Sequence, residues 1–151
     1  MHRVLVLHGP NLNALGAREP ELYGTTSLTE LERRLKDLGS ELECEVECLQ
    51  SNHEGVLIDA LHGARARSHG VLLNPGGLTH VSVALRDAVV ASGVPVIEVH
   101  VTNPAGREPF RRTSLISGVA AGVVQGFGVD SYLLGLRGLA ARLTGARRGQ
   151  G

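Results

Sequence analysis

Apolar positions along the chain follow two alternating rhythms. RVLVLH (3–8), CEVECLQ (44–50), GVLLN (70–74), PVIEVHV (95–101) and AGVVQGFG (121–128) are short apolar runs of strand length. Between them, apolar residues recur at helical spacing over about 27–42, 54–67, 79–92 and 130–145. Thr26 or Ser27, Asn52 or His53, Thr79 and Asp130 are residues suited to begin those helices. A further short helical turn fits PFRRTSLIS.

Regular alternation of strand and helix predicts an α/β fold with a parallel sheet covered on both faces. ECEVEC alternates Glu with Cys or Val, as a half-exposed edge strand does, whereas the first, third and fifth runs are almost wholly apolar. That contrast fits a flavodoxin-like three-layer sandwich, a five-stranded parallel sheet of order 2-1-3-4-5 whose ligands bind beyond the carboxyl ends of the strands. No internal repeat or low-complexity linker interrupts the pattern. The expectation is one catalytic domain over residues 1–145 and a disordered tail over 146–151.

Composition narrows the chemistry. The 151 residues carry 15 basic and 15 acidic side chains, so no net field draws the chain to nucleic acid or to a membrane surface, and a small molecule is the expected partner. The apolar run in MHRVLVLHGPN is too short for a secretory signal and none is long enough to span a membrane, which makes a cytoplasmic location the expectation. Cys44 and Cys48 are four apart on one strand, too distant for a disulfide, and read as small core residues. Lys36 is the only lysine and falls among the charged positions of the first long helix, so an imine mechanism has almost no candidate.

Unusual polar residues gather just after the strand ends: Asn11 and Asn13, then Ser51, Asn52 and His53, then Asn74, then Glu98 and His100. HGPNLN lacks the glycine pattern and the lysine of a phosphate loop. In NPGGLTH the glycines allow backbone amides to approach a ligand closely. Glu98 and His100, two apart on a strand, share a face, and a carboxylate beside an imidazole fixes the tautomer and favours the protonated ring, as a general acid requires. His80 and Asp87 are seven apart on one helical face, and one of Arg107, Arg111 and Arg112 could clamp a carboxylate. The loop GAREPELYGTTS places Arg18, Glu19 and Tyr23 between Gly16 and Gly24, plausible hinges of a lid. Tyr132, in the last helix, reads as structural. No zinc-ligand spacing and no Gly-x-Ser-x-Gly nucleophile turn is present, so neither a metal site nor a serine hydrolase is expected.

GPNLNALGAREPELYG, QSNHEG, NPGGLTHVSVALRDA, EVHVTNPAGREPFRR and AAGVVQGFGVDSYLLGLRGLA together resemble the type II 3-dehydroquinate dehydratase family, in order and over nearly the whole chain. The resemblance implies reversible dehydration of 3-dehydroquinate to 3-dehydroshikimate in aromatic biosynthesis or quinate breakdown, without a cofactor, by a homododecamer built from trimers. It implies Tyr23 as proton acceptor, Arg18 as its activator and His100 as proton donor to the leaving hydroxyl, with Glu98 as the partner of His100. It further implies that Asn11 holds a water near the enolate oxygen and that Asn74, His80, Arg111 and the backbone at Val101 and Thr102 bind substrate. Asp87 matches an aspartate that reaches a neighbouring subunit's site. His8, Leu78, Thr113 and Leu115 depart from the residues usual in the family, which predicts an altered lining around the substrate ring.

Removing a proton alpha to a ketone and expelling a beta hydroxyl requires a base, an acid and stabilisation of an enolate. Tyrosine is a poor base, with roughly one molecule in a thousand ionised at pH 7 in water, so a nearby guanidinium has to favour the phenolate. The competing reading is a flavodoxin-like nucleotide-binding or regulatory module. It lacks both a phosphate loop and the clustered strand-end aspartates of a phosphoryl receiver, since Asp37, Asp59, Asp87 and Asp130 all fall in or at helices.

Overall fold

The computed structural model describes the backbone of residues 1–149, with side chains through residue 146. Five parallel strands, β1 (His2–His8), β2 (Cys44–Gln50), β3 (Gly70–Asn74), β4 (Val96–His100) and β5 (Gly122–Gln125), form one sheet in the order β2-β1-β3-β4-β5. The order expected from the sequence is therefore the one observed. β3 and β4 are buried at every position, while β2, at one edge, alternates buried or half-buried apolar residues with exposed glutamates.

Each face of the sheet has its own apolar core. On one side α2 (Leu28–Glu41) and α5 (Asp130–Gly149) press Leu31, Leu35, Tyr132, Leu136 and Leu139 onto Val4, Val6, Leu72 and Val99. On the other, α3 (Glu54–Arg67) and α4 (Val83–Ser92) press Leu57, Leu61, Leu85 and Val89 onto Leu7, Val71, Leu73 and Val96. The period-two alternation of the strands dictates this division. Each fully buried leucine contributes on the order of 2 kcal/mol of transfer free energy, so the two layers hold the strand ends rigidly in register.

The helix starts show where local chemistry was read well and where it was not. Ser27 caps α2, its Oγ accepting from Glu30 N at 3.2 Å. Thr79 does not begin the helix near it. Residues Gly76–His80 form a separate 3₁₀ turn, and α4 starts at Ser82, whose Oγ accepts from Leu85 N at 2.9 Å. The Thr79 hydroxyl is instead committed to Glu98. PFRRTSLIS contains a 3₁₀ turn at Pro109–Arg111, and a further one follows at Ser117–Val119. α5 continues beyond residue 145, where the disordered tail was expected to begin; residues 150 and 151 of that tail lie outside the described residues.

The chain leaves β1 toward β2 and leaves β3 toward β4, so the loops after these neighbouring strands diverge and open a crevice between them. Gly9 sets its width. Gly9 N donates to Asn74 O at 2.7 Å, and a Cβ on Gly9 would lie 2.7 Å from Pro75 O, a backbone atom that cannot swing aside. Gly9→Ala is expected to destabilise the fold by about 1–3 kcal/mol and to weaken ligand binding by parting the two loops. Urea unfolding with an unchanged midpoint would show that the loops have slack.

Candidate active site

The crevice is a cavity of about 150 Å³ lined by Asn11, Arg18, Tyr23, Asn74, His80, His100, Val101, Thr102, Arg107 and Arg111, together with Pro10, Leu12, Gly76, Gly77 and Pro104. Nine of the eleven residues singled out from the sequence line it. Glu98 lies immediately behind His100. Asp87, exposed on α4, is not brought to this pocket.

At its floor is a buried acid–imidazole pair. Glu98 and His100 project from the same face of β4, and His100 Nε2 donates to Glu98 Oε2 at 2.5 Å. The bond fixes the tautomer and leaves Nδ1 as the ring nitrogen available to a ligand. Glu98 is fully buried, and hydroxyl groups supply the rest of its solvation: Thr79 Oγ1 donates at 2.5 Å, Ser114 Oγ at 3.0 Å, and Ser117 Oγ also donates. Burial pushes the carboxyl pKa up, but the hydrogen bonds from His100, Ser117 and Thr79 outweigh it and hold the value at about 2. Glu98 is thus a permanent anion beneath the imidazole.

The Gly16–Gly24 loop also contributes to the lining, through Arg18 and Tyr23. Residues Pro20–Tyr23 form a single helical turn, α1, between Gly16 at φ +94° and Gly24 at φ +83°. Arg18 Cζ lies 4.8 Å from the Tyr23 ring centroid and Arg107 Cζ 5.3 Å from it, so two guanidinium groups attend one ring. Arg107 also donates to Thr102 Oγ1 at 3.2 Å, while its buried Nε has no hydrogen-bond partner among the described residues. Arg111 is held by Glu108 at 2.8 Å, and Arg112 is exposed away from the pocket. Arg18 and Glu19 are 3.9 Å apart and both substantially exposed, too loose and wet an ion pair to fix either side chain.

The remaining wall is built from polar turns. Asn11, in a left-handed conformation at φ +72°, is braced by Asn52, whose Oδ1 accepts from Asn11 N at 2.9 Å. Asn13, Ser51, Asn52 and His53 do not line the cavity. His80 Nδ1 lies 2.8 Å from Thr113 O, which sets the ring's orientation toward the pocket. Asn74 Oδ1 accepts from Gly76 N at 3.0 Å, and its Nδ2 donates to the Tyr132 hydroxyl at 2.9 Å. Tyr132 is structural, as read from the sequence, buried in the core and bracing Asn74 through this bond.

Residues 2–140 match the family described as dehydroquinase class II. The chain belongs to that family. It is 56% identical to the 3-dehydroquinate dehydratase of Gloeobacter violaceus over 138 residues, covering 91% of this chain and 86% of the relative. It is 52% identical to a protein of Aspergillus flavus named catabolic 3-dehydroquinase 2, covering 96% of this chain and 97% of that one. The crystal structure of type II dehydroquinase from Propionibacterium acnes superposes with a TM-score of 0.90 at 40% identity, covering 93% of this chain and 97% of that one.

Membership gives meaning to the departures seen in the sequence. His8, Leu78, Thr113 and Leu115 do not line the cavity, so the predicted change in ring lining does not occur through them. Leu78 packs in the core, while Thr113 and Leu115 contribute backbone carbonyls, to His80 and to Arg86. Thr79 was read as a helix start, Ser114 and Ser117 were not singled out, and Arg107 was named only as one of three possible carboxylate clamps. Arg107 carried a signal in the sequence, as a charge in the loop after a strand.

Glu98 gives the fold an acid sensitivity of definite sign. Its pKa is lowered from an ordinary 4.5 to about 2, so its contribution of roughly 3 kcal/mol is fully present above about pH 4.5 and is lost as pH falls toward 2. Glu98→Gln should flatten the stability profile across that window. An unfolding midpoint that keeps the same pH dependence in the variant would mean that Glu98 is not held ionised.

Proposed function

We propose that this protein is a hydro-lyase that dehydrates 3-dehydroquinate to 3-dehydroshikimate by anti elimination through an enolate. The observation that carries the reading is the meeting in one pocket of a tyrosine attended by two arginines with an imidazole seated on a buried carboxylate. Anti elimination requires the base and the acid to act on opposite faces of the ring, the roles this reading gives to Tyr23 and His100, both of which line the pocket.

In the first step the Tyr23 phenolate takes the proton alpha to the ketone, and the electron pair of that C–H bond passes into the carbonyl to give an enolate. In this reading Arg18 is the group that activates Tyr23, with Arg107 also beside the ring. In the second step the enolate collapses, the bond to the beta hydroxyl breaks, and His100 delivers the proton that makes the leaving group water. Glu98 stabilises the imidazolium before this transfer and holds the ring in place after it. Asn11 holds a water near the enolate oxygen. Asn74, His80, Arg111 and the backbone of Val101 and Thr102 bind the ring hydroxyls and carboxylate, with Arg111 suited to the carboxylate.

The lysine position supports the enolate route. Lys36 is exposed on α2 and does not line the cavity, so no amine is placed to form an imine with the ketone. The same reaction serves aromatic biosynthesis and quinate breakdown. A cytoplasmic homododecamer, a tetramer of trimers, belongs to the same reading, in which Asp87 reaches a neighbouring subunit's site. Val81, Val83 and Val90 stand exposed on and beside α4 with Asp87, a face suited to such packing. Among the described residues no helix is long and apolar enough to cross a membrane.

Wild-type protein mixed with 3-dehydroquinate, without added metal or cofactor, should give a rising ultraviolet enone absorbance, and a well-folded sample that gives none would end the dehydratase reading. Tyr23→Phe should reduce turnover by at least about a thousandfold while leaving folding and ligand binding largely intact; substantial residual activity would point to a different base. Borohydride added with substrate should leave the protein unmodified and active. Covalent attachment at Lys36 would overturn the enolate route.

A further inference from the structure

We propose that His8 and Tyr132 are positioning residues that compel Asn74 to present an N–H donor, rather than its carbonyl oxygen, to the bound substrate. His8 and Asn74 are paired across β1 and β3, and Tyr132 reaches over both from α5. Tyr132 Oη has two hydrogen-bond partners among the described residues, Asn74 Nδ2 at 2.9 Å and His8 Nδ1 at 2.9 Å.

Hydrogen counting sets the direction of the chain. Asn74 Oδ1 is occupied by Gly76 N–H, so the atom facing Tyr132 is the amide nitrogen and the tyrosine oxygen accepts. The hydroxyl's own hydrogen then has one destination, His8 Nδ1, which must be unprotonated. Burial favours the neutral imidazole at His8 and the neutral phenol at Tyr132, consistent with that order. The proton of His8 therefore sits on Nε2, 3.3 Å from Glu32 Oε1, though without the alignment of a hydrogen bond.

With one Nδ2 hydrogen committed to Tyr132, the second remains for the cavity that Asn74 lines. A flipped amide would set its oxygen against Gly76 and Tyr132 differently, breaking the bond to Gly76 N and turning the whole chain around. The site is thereby tuned to an oxygen acceptor on the substrate.

A second use of the same cluster conflicts with this order. His8, Glu32 and Cys48 place an imidazole nitrogen, a carboxylate oxygen and a sulfur within 4.8 Å of one another, close enough to surround a metal ion. A metal on Nε2 would move the imidazole proton to Nδ1 and leave the buried Tyr132 hydroxyl hydrogen without an acceptor. The bonds from Asn74 through Tyr132 to His8 Nδ1 keep the direction argued above only when no ion is on Nε2.

The test has two arms. In ¹⁵N-histidine-labelled protein the His8 resonances should show Nδ1 free of hydrogen and Nε2 protonated, unchanged by stoichiometric Zn²⁺; a protonated Nδ1, or loss of the Nε2 proton on adding Zn²⁺, would overturn the proposal. This arm needs no turnover, so it stands apart from the dehydratase reading on which the kinetic arm rests. Kinetically, His8→Leu should raise KM for 3-dehydroquinate about tenfold with kcat changed less than about threefold, and His8→Asn, whose Oδ1 can replace the Nδ1 acceptor, should recover most of the loss. Equal KM effects in folded Leu and Asn variants, or none in the Leu variant, would refute the positioning role. If His8→Leu does not fold, the ¹⁵N arm decides.

Discussion

The site depends on a single buried negative charge. Glu98 has no solvent to stabilise it and is kept ionised by donors from β4, from the Gly76–His80 turn and from the segment at Ser114–Ser117. Because those donors come from three separate stretches, the carboxylate also ties the turn after β3 and the loop after β4 to the sheet. The same charge gives His100 its orientation. Positioning of the acid and assembly of half the pocket are therefore one physical event, and removal of the charge would be felt in both.

The Tyr23 part of the pocket is organised on different physics. Tyr23 rides on a one-turn helix between two glycines with positive φ, and its neighbours are guanidinium groups stacked on its ring. Cations over an aromatic ring act at short range without demanding a fixed hydrogen-bond geometry, which is compatible with the lid proposed for this segment. In the proposed mechanism the acid stands on the sheet and the base on a loop, an arrangement the topology makes available, since the loops after β1 and β3 diverge where the order of strands reverses.

Much of this was legible in the chain. Strand order followed from the contrast between the alternating ECEVEC and the unbroken GVLLN, and the observed burial of β2 and β3 repeats that contrast residue by residue. The Glu98–His100 pair was legible because a strand puts i and i+2 on one face. Contacts that cross between elements were not legible. Nothing in the sequence ties Tyr132 to Asn74, 58 positions away, and serines such as Ser114 and Ser117 are too common to stand out as donors. Thr79 was misjudged because a threonine ahead of an apolar helix is a good cap by local rules, and only the buried carboxylate opposite it shows where its hydroxyl is needed more.

The claim that links both walls is that proton removal and hydroxide loss are separate steps assigned to separate residues. Exchange of the substrate's alpha hydrogen with deuterium, followed by NMR in D₂O, reads the first step without the second. His100→Asn is predicted to exchange that hydrogen while forming almost no enone, whereas Tyr23→Phe should do neither. Exchange that persists in Tyr23→Phe, or that vanishes along with elimination in a folded His100→Asn variant, would contradict the account.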